Sequence, residues 1–287
     1  MHQLSVELNF EEFQIVENLL FELEDATHWN LYENFEDKGY WLRGVFENEG
    51  LANASWHEIS GLMNFSNEPL LVELDDKDWT ESYKEHFKPW SIGSIHWVPL
   101  WLKDEYVVPE RDNVVWLDPG MAFGTGNHAT TRLCVEQLVT FKNSCSHLKE
   151  AKVIDAGCGS GILAISAAKL GANRIHAFDN DPEAVRIAKE NAALNGVAES
   201  YFAEGDLVTG LQGRKADLVM ANILANVLVE FSPRLVEALN PGSWLILSGI
   251  LAVEADAVAN RFHSLLDCAS CETTFLDEWA CVRFVRA

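Results

Sequence analysis

Three glycines and one aspartate have the types and spacing of a nucleotide-binding turn. Gly157, Gly159 and Gly161 follow the apolar run Val153–Ala156 and open a helical pattern. Such a turn presents backbone amides and the positive end of a helix to a ligand, and the missing side chains allow its close approach. Asp179 stands 22 residues after Gly157, at the end of the next predicted strand, where a carboxylate can accept both ribose hydroxyls. The pattern therefore favours a bound adenosyl ligand over a turn that serves packing alone.

The spacing of the glycines distinguishes between two classes of ligand. The dinucleotide-binding fingerprint is G-x-G-x-x-G, whereas Gly157 to Gly161 is G-x-G-x-G. This spacing resembles the first motif of S-adenosylmethionine-dependent methyltransferases, whose ligand has a ribose and an adenine but no pyrophosphate. The resemblance implies that Asp206 is the acidic residue beside the adenine amino group. The alternative for Asp206 is a solvated loop carboxylate.

Asn222 is the candidate for the reacting centre, since it directly follows the buried run Leu218–Ala221. Ligands of open parallel sheets lie beyond the carboxyl ends of the strands, so Asn222 should face the same crevice as Gly157 and Asp179. Its side-chain oxygen can accept a hydrogen bond from a substrate amine and hold the nitrogen lone pair toward an electrophilic methyl group. The alternative is a helix N-cap. We favour substrate placement because of the strand end that Asn222 occupies.

A C-x-x-C formed by Cys268 and Cys271 is the candidate for metal or redox chemistry. His263 and Cys281 are near in sequence. A zinc site of this type normally needs a second pair of ligands, and the sequence has no second C-x-x-C. We therefore interpret these thiols as strand residues and predict no metal site.

The elements that must position these residues alternate between buried strands and helices over residues 113–287. This alternation is typical of βαβ units and predicts an α/β domain with a mostly parallel, doubly wound sheet of the Rossmann-like kind. Pro182 suits a first helical turn, and Asn195-Gly196 suits a helix stop. The predicted strands are Val153–Ala156, Ile175–Phe178, Leu218–Ala221 and Trp244–Leu247, and the predicted helices are Leu163–Leu170, Pro182–Leu194 and Ile223–Leu239.

Residues 1–76 follow a different pattern, β-α-β-β-α-β, which predicts a small α+β domain of the ferredoxin-like type. The predicted strands are Leu4–Leu8, Trp29–Phe35, Tyr40–Phe46 and Pro69–Leu74, and the predicted helices are Phe13–Leu23 and Leu51–Met63. Residues 77–112 are interpreted as a connector with a short helix at Trp79–Phe87. We expect its tryptophans to pack at the domain interface. These are Trp79, Trp90, Trp97 and Trp101.

The charge of the chain excludes one class of partner. The 287 residues carry a formal net charge of −23, so the chain repels a phosphate backbone and direct nucleic-acid binding is not expected. Residues 1–112 hold 24 acids and 7 bases, net −17, so the acidity is concentrated before the glycine motif. The sequence shows no signal-peptide pattern and no run of 18 apolar residues. We expect a cytoplasmic monomer with reduced thiols and no membrane segment.

A second glycine loop resembles that of a single family. The run LDPGMAFGTGNHATT, residues 117–131, is similar to the motif peculiar to the ribosomal protein L11 methyltransferases. The resemblance covers about residues 75–285, while residues 1–74 agree with the family's recognition domain in pattern only. Further matching runs are Trp79 with Phe87-x-Pro89, Gly93 with Trp97-x-Pro99-x-Trp101, GCGSGILAI from Gly157 to Ile165, Ala221-Asn222-Ile223-Leu224 and Leu247-Ser248-Gly249-Ile250.

The resemblance implies S-adenosylmethionine as cofactor and large-subunit ribosomal protein L11, a basic protein, as partner and substrate. It places cofactor contacts on Thr131, Gly157, Asp179 and Asn222. The stretch from Phe123 to Gly126, which includes Gly124, would fold over the methionine half, and Thr131 could either cap the helix or hydrogen-bond the ligand. For His128, contact with the ligand and a role in ordering the loop remain open. Asn127 and Ala129 depart from the family pattern.

The implied reaction is methyl transfer to amines, namely lysine side chains and an N-terminal α-amine, with Asn222 as the catalytic residue. Three alternatives remain open. The first is another protein-lysine or small-molecule methyltransferase. The second is a noncatalytic module that binds the cofactor, and the third is an NAD-dependent oxidoreductase, which the glycine spacing disfavours.

Overall fold

The structure is a computed structural model that describes residues 1–13, 15–16, 29–34, 39–63, 65–73, 88–117 and 128–287, without the side chains of residues 33 and 34. The chain divides into two compact units, Met1–His86 and Phe87–Ala287. In the described part of the chain, no helix has both the length and the apolar composition to cross a bilayer.

The first unit contains a four-stranded antiparallel sheet. Its strand order is β2-β3-β1-β4, and residues 10–13 and 15–16 are helical between β1 and β2. This arrangement confirms the ferredoxin-like prediction, although most of the predicted helix Phe13–Leu23 lies outside the described residues. The elements are β1 (His2–Leu8), β2 (Trp29–Asn34), β3 (Gly39–Phe46), α1 (Glu49–Ser60) and β4 (Leu70–Glu73).

The second unit is built on a seven-stranded sheet of order β10-β9-β8-β11-β12-β14-β13. Its strands are β8 (Lys152–Ala156), β9 (Arg174–Asp179), β10 (Phe202–Glu204), β11 (Ala216–Asn222), β12 (Leu239–Leu251), β13 (Cys268–Leu276) and β14 (Trp279–Arg286). The pairs from β10 to β12 are parallel, and β14 runs antiparallel to both of its neighbours. The predicted Rossmann-like α/β fold is confirmed.

Helices connect these strands and cover the sheet, whose central strands are buried. They are α2 (Ala129–Ser144), α3 (Ile162–Lys169), α4 (Pro182–Leu194), α5 (Ala225–Glu230), α6 (Ser232–Glu237) and α7 (Ala255–His263). The chain order along the sheet reverses between β8 and β11, so the loops that follow these two strands diverge. Such a switch point leaves a crevice at the carboxyl ends of the strands, where open α/β sheets bind ligands.

Residues 90–117, most of which the sequence suggests to be a connector, carry a small sheet within the second unit. It consists of β5 (Trp90–Ile92), β6 (Ile95–Pro99) and β7 (Asn113–Leu117), with β6 and β7 parallel. Trp97 is fully buried in the core of this unit, and its indole Nε1 donates to Ser166 Oγ at 3.0 Å. The predicted helix Trp79–Phe87 lies outside the described residues.

The predicted helix Ile223–Leu239 is wrong as a single element. The structure has α5 and α6 there, separated at Phe231. Pro233 sits in the first turn of α6, where its missing amide proton costs nothing, whereas in the middle of one long helix it would remove a hydrogen bond.

All six cysteines are free thiols. Cys268 and Cys271 lie on β13, as predicted, and Cys268 Sγ is 3.4 Å from His263 Nδ1. Cys281 lies apart from them, buried on β14, where a hydrogen bond with Cys134 is the main cause that raises the pKa of the Cys134 thiol. Cys281 therefore does not join the C-x-x-C in one cluster.

Asp155, at the end of β8, anchors the first turn of α3 beneath the glycine loop. Its Oδ2 accepts from the amide of Ala164 at 2.9 Å, and its side chain is fully buried. Among the residues that the structure describes, Oδ1 has no hydrogen-bond partner. Burial is the main cause that raises the pKa of the Asp155 carboxyl to about 7.

Asn195 joins the small sheet to the C-terminus of α4. Its Oδ1 accepts from the amide of Trp116 at 2.7 Å, and its Nδ2 donates to the carbonyls of Trp116 at 2.9 Å and Asn191 at 2.8 Å. The side chain thus pairs with β7 as a neighbouring strand would, and α4 stops at Asn195-Gly196 as predicted.

Replacing Asn195 tests this link. Asn195→Ala leaves the backbone amide and carbonyl of Trp116 without these partners, so we expect the free energy of unfolding to fall by about 2–3 kcal/mol. Urea denaturation measures it. The matched control is Asn226→Ala on the exposed face of α5, which should change stability by less than about 0.5 kcal/mol. Equal effects of the two substitutions would contradict the proposed link.

The buried carboxyl of Asp155 predicts a pH dependence of stability. Its folded-state pKa of about 7 lies above the value of about 3.9 in an unfolded chain. Between these values the folded state binds more protons, so the contribution of Asp155 to stability falls as pH rises from about 4 to 7. Asp155→Asn keeps an oxygen that accepts from the Ala164 amide. Because asparagine does not ionise, the variant does not lose this contribution to stability as pH rises. The melting temperature of the variant relative to wild type should therefore rise between pH 4 and 8, and a constant difference would contradict the assignment.

Candidate active site

A cavity of about 890 Å³ lies at the carboxyl ends of the central strands of the second unit. The loops after β8, β9, β10 and β11 line it, together with β12 and the first residues of α2 and β14. Gly159 and Gly161 are not part of the lining, and Phe123 and Gly124 lie outside the described residues. The predicted site residues that the cavity brings together are His128, Thr131, Gly157, Asp179, Asp206 and Asn222.

Hydrogen bonds fix the glycine loop against the end of β9. The amides of Gly157 and Cys158 donate to the carbonyl of Phe178 at 2.9 and 3.0 Å, and the amide of Gly159 donates to Asp179 Oδ2 at 2.8 Å. Gly157 and Gly159 have φ angles of +73° and +50°, which favour glycine. Asp179 Oδ1 accepts from the amide of Asp181 at 3.1 Å. The carboxylate is thus held in place, and its remaining lone pairs can accept hydroxyl donors from a ligand.

Gly161 has a packing role in this structure. A Cβ on Gly161 would lie 2.8 Å from the ring of Phe202 and 3.0 Å from Cβ of Ala188. The residue also has a φ of +79° at the N-cap of α3. It therefore allows the loop, α4 and β10 to approach each other, which is the role of the third glycine in related nucleotide-binding turns.

Asp206 organises the turn after β10 and lines the cavity. Its Oδ1 accepts from the amides of Val208 and Thr209 at 2.9 and 2.6 Å and from Thr209 Oγ1 at 2.8 Å. The hydrogen bonds from Thr209, first of all its backbone amide, lower the pKa of the Asp206 carboxyl. The side chain is therefore a charged acceptor at the polar end of the cavity, beside Asp179.

Asn222 ends β11 in the central part of the cavity lining. The helix that follows begins at Ala225 with Leu224 as its N-cap, so the cap alternative for Asn222 does not hold. The next residue, Ile223, is enclosed by two glycines. A Cβ on Gly157 would lie 2.5 Å from Ile223 Cγ2, and a Cβ on Gly249 would lie 2.4 Å from the carbonyl oxygen of Ile223. The first contact holds the Asn222 loop against the glycine loop, and the second holds it against β12.

The N-terminus of α2 contributes His128, Thr130 and Thr131 to the cavity. His128 is the N-cap, with Nδ1 2.8 Å from Thr130 Oγ1 and 3.4 Å from the Thr130 amide. Nδ1 is thereby engaged with the first turn of the helix. His128 therefore orders the helix start and also borders the cavity.

The sequence reasoning missed several residues of the lining, above all Trp279 and Ile223. Trp279 begins β14 and contacts the His128 ring edge-on, with ring centroids 4.8 Å apart. No local pattern marks Trp279, because only the antiparallel pairing of β14 with β12 brings it to the site. Gly249 and Ile223, in contrast, lie within runs that carry the family resemblance. Those runs are the sequence signal that could have identified them.

The comparison with protein families agrees with this geometry. The family model described as ribosomal protein L11 methyltransferase matches residues 7–287. The match includes all of the second unit, the first unit from residue 7 onward, and every cavity-lining residue discussed above.

Individual relatives give the same result. A ribosomal protein L11 methyltransferase of Geotalea uraniireducens is 42% identical over 224 residues, which are 75% of this chain and 70% of the relative. That of Methylococcus capsulatus is 42% identical over 224 residues, 76% of this chain and 72% of the relative. A crystal structure of a ribosomal protein L11 methylase from Lactobacillus delbrueckii subsp. bulgaricus is 33% identical with a TM-score of 0.59, and the match covers 67% of this chain and 95% of that chain. The chain therefore belongs to the ribosomal protein L11 methyltransferase family.

Proposed function

We propose that this chain transfers methyl groups from S-adenosylmethionine to amines of large-subunit ribosomal protein L11. The observation that carries the proposal is the combination of the family match over residues 7–287 with a cavity that joins Thr131, Gly157, Asp179 and Asn222. The acceptor amines are lysine side chains and the N-terminal α-amine.

The chemistry of the cavity suits an adenosyl ligand. Gly157 borders it without a side chain, so a ligand can approach the backbone, and the glycine also leaves room for Ile223. In this proposal Asp179, fixed by the amide of Gly159, accepts the ribose hydroxyls, and Asp206, which lines the same cavity, accepts the adenine amino group. Thr131, buried at the start of α2, and Gly157 are assigned to the methionine half.

Asn222 positions the nucleophile. When bound, S-adenosylmethionine supplies an electrophilic methyl group on a sulfonium. The amide oxygen of Asn222 accepts an N–H bond of the neutral acceptor amine, which directs the nitrogen lone pair and lowers the entropic cost of the displacement. A lysine with a pKa of about 10.4 must lose its proton before it reacts, whereas an N-terminal amine titrates at about 7.7–8.0. An amide is too weak a base to remove that proton, so the role of Asn222 is orientation.

The first unit is the docking unit for the basic substrate in this proposal. Residues 1–86 contain 20 acidic and 4 basic residues, a net charge of −16. Such a field attracts a basic protein and speeds its encounter, while it repels nucleic acid. We further propose that the chain acts as a monomer in the cytoplasm, where newly made ribosomal proteins are present and thiols such as its six free cysteines stay reduced.

Substitution of Asn222 tests the catalytic assignment. Asn222→Ala removes the acceptor for the amine, so we expect kcat to fall at least about 100-fold through lost orientation. The Kd for S-adenosylmethionine, measured by titration calorimetry, should stay within about threefold because the other cofactor contacts remain. Asn226→Ala, four residues along on the exposed side of α5, is the control and should keep wild-type turnover. Unchanged turnover of Asn222→Ala would remove Asn222 from the reacting centre.

The substrate and its docking are tested together with purified ribosomal protein L11. Mass spectrometry after incubation with the chain and S-adenosylmethionine should show mass increments of 14 Da per methyl group, on amines only. Because the encounter is electrostatic, kcat/KM should fall roughly threefold to tenfold between about 50 and 300 mM salt. An unmodified L11 would refute the proposed substrate, and a salt-independent rate would refute the acidic docking unit.

A further inference from the structure

The lining of the cavity divides into two sides that differ in charge. The side of β9 and β10, called the polar half, holds both carboxylates of the described lining, Asp179 and Asp206, together with Asn180 and the apolar Phe178 and Leu207. The side of β11, β12 and β14, called the apolar half, has no carboxylate among its described residues, and the start of α2 adds His128, Thr130 and Thr131 at its edge. The large side chains of this half are Ile223, Leu224, Val227, Phe231 and Trp279. Asn222 and Gly157 stand between the halves, where the chain order of the sheet reverses.

This division assigns one half to each reactant. The adenosine part of the proposed ligand takes the polar half, because its ribose and adenine need the two carboxylates there, and its methionine part extends past Gly157 to Thr131. The acceptor must reach the methyl group from the opposite direction, since displacement is in line. The apolar half is therefore left for the acceptor, with Asn222 at the boundary where the amine reacts.

Trp279 is the largest side chain of the apolar half, and its neighbours in the fold fix its orientation. Its neighbour His128 meets it at an interplanar angle of 66°, and the Thr130 hydroxyl holds His128 in turn. On the other side, Trp279 pairs with Leu251 of β12 in the sheet. The start of α2 thus contacts the indole, and the pairing with β12 fixes the backbone that carries it.

An apolar aromatic wall selects a particular kind of amine. None of the described residues that line this half carries a carboxylate, so an entering ammonium group loses water without gaining a counter-ion. That desolvation lowers the pKa of the amine and favours the neutral nucleophile. The four methylenes of a lysine gain contact with the indole, and the indole face tolerates the charged head before its proton leaves.

We propose that Trp279 is a substrate-contacting residue, the wall against which the aliphatic stem of an acceptor lysine lies, and that it sets the preference for aliphatic amines. The inference rests on the proposed function for the identity of the reactants. It goes beyond that function by assigning the halves of the cavity and by naming the residue that recognises the lysine stem.

The kinetic test separates the two halves. Trp279→Ala should raise the KM for ribosomal protein L11 by about tenfold or more, in line with the loss of one large aromatic contact. Its calorimetric Kd for S-adenosylmethionine should stay within about twofold, and Trp279→Phe should restore most of the KM. The matched control is Asp206→Asn in the polar half, which keeps an oxygen for the turn but loses the second acceptor, and it should raise the Kd for the cofactor instead. Circular dichroism of each variant reports whether it folds.

A second measurement makes the test independent of turnover. The wild-type chain, saturated with S-adenosylhomocysteine, is titrated with a blocked Gly-Lys-Gly peptide while tryptophan fluorescence is recorded. The emission should change in wild type and not in Trp279→Phe, and a Gly-Gly-Gly peptide should have no effect on either.

The outcomes are distinct. An unchanged KM in Trp279→Ala, or a cofactor Kd that rises as much as the KM, would overturn the assignment of Trp279, as would identical fluorescence titrations of wild type and Trp279→Phe. If L11 is not methylated by wild type, the proposed function falls, and the fluorescence titration still decides whether Trp279 meets the lysine stem.

Discussion

The site depends on the close approach of three strand ends, with Ile223 enclosed between Gly157 and Gly249. Neither glycine can carry a side chain without displacing Ile223, because a Cβ at either position would lie within 2.6 Å of it. The enclosure sets the distance between the loops after β8 and β11. Asn222 precedes Ile223 in the chain, so the same contact brings the candidate reacting centre beside the cofactor loop. The geometry of the reaction thus follows from a packing constraint at the switch point of the sheet.

Two kinds of interaction then complete the cavity. The glycine loop is held by the backbone carbonyl of Phe178 and the carboxylate of Asp179. The helix that follows the loop, α3, is held at its first turn by the buried carboxyl of Asp155. The opposite half is held by aromatic and aliphatic packing, with Trp279 against His128. A polar half and an apolar half suit two reactants of different character, a nucleoside and an aliphatic amine.

Much of this arrangement could be predicted from the sequence, because it depends on local patterns. The glycine turn and Asp179 belong to one βαβ unit, and α4 has its proline and its Asn195-Gly196 stop at the positions that capping rules give. The features that escaped prediction depend on tertiary contacts. Trp279 comes to the cavity through strand pairing, Gly161 has a packing role that spacing alone does not reveal, and the sheet of β5 to β7 needs Asn195 as a partner for Trp116. The break between α5 and α6 is encoded locally by Pro233, although the apolar spacing of this stretch predicts a single helix.

The central claim is that the cavity at the ends of β8, β9 and β11 binds an adenosyl ligand that carries a sulfonium and no pyrophosphate. Titration calorimetry of the full chain with S-adenosylmethionine, and separately with NAD, tests it most directly. The account predicts saturable binding of one S-adenosylmethionine per chain and no heat of binding for NAD. Binding of NAD without a response to S-adenosylmethionine would contradict it.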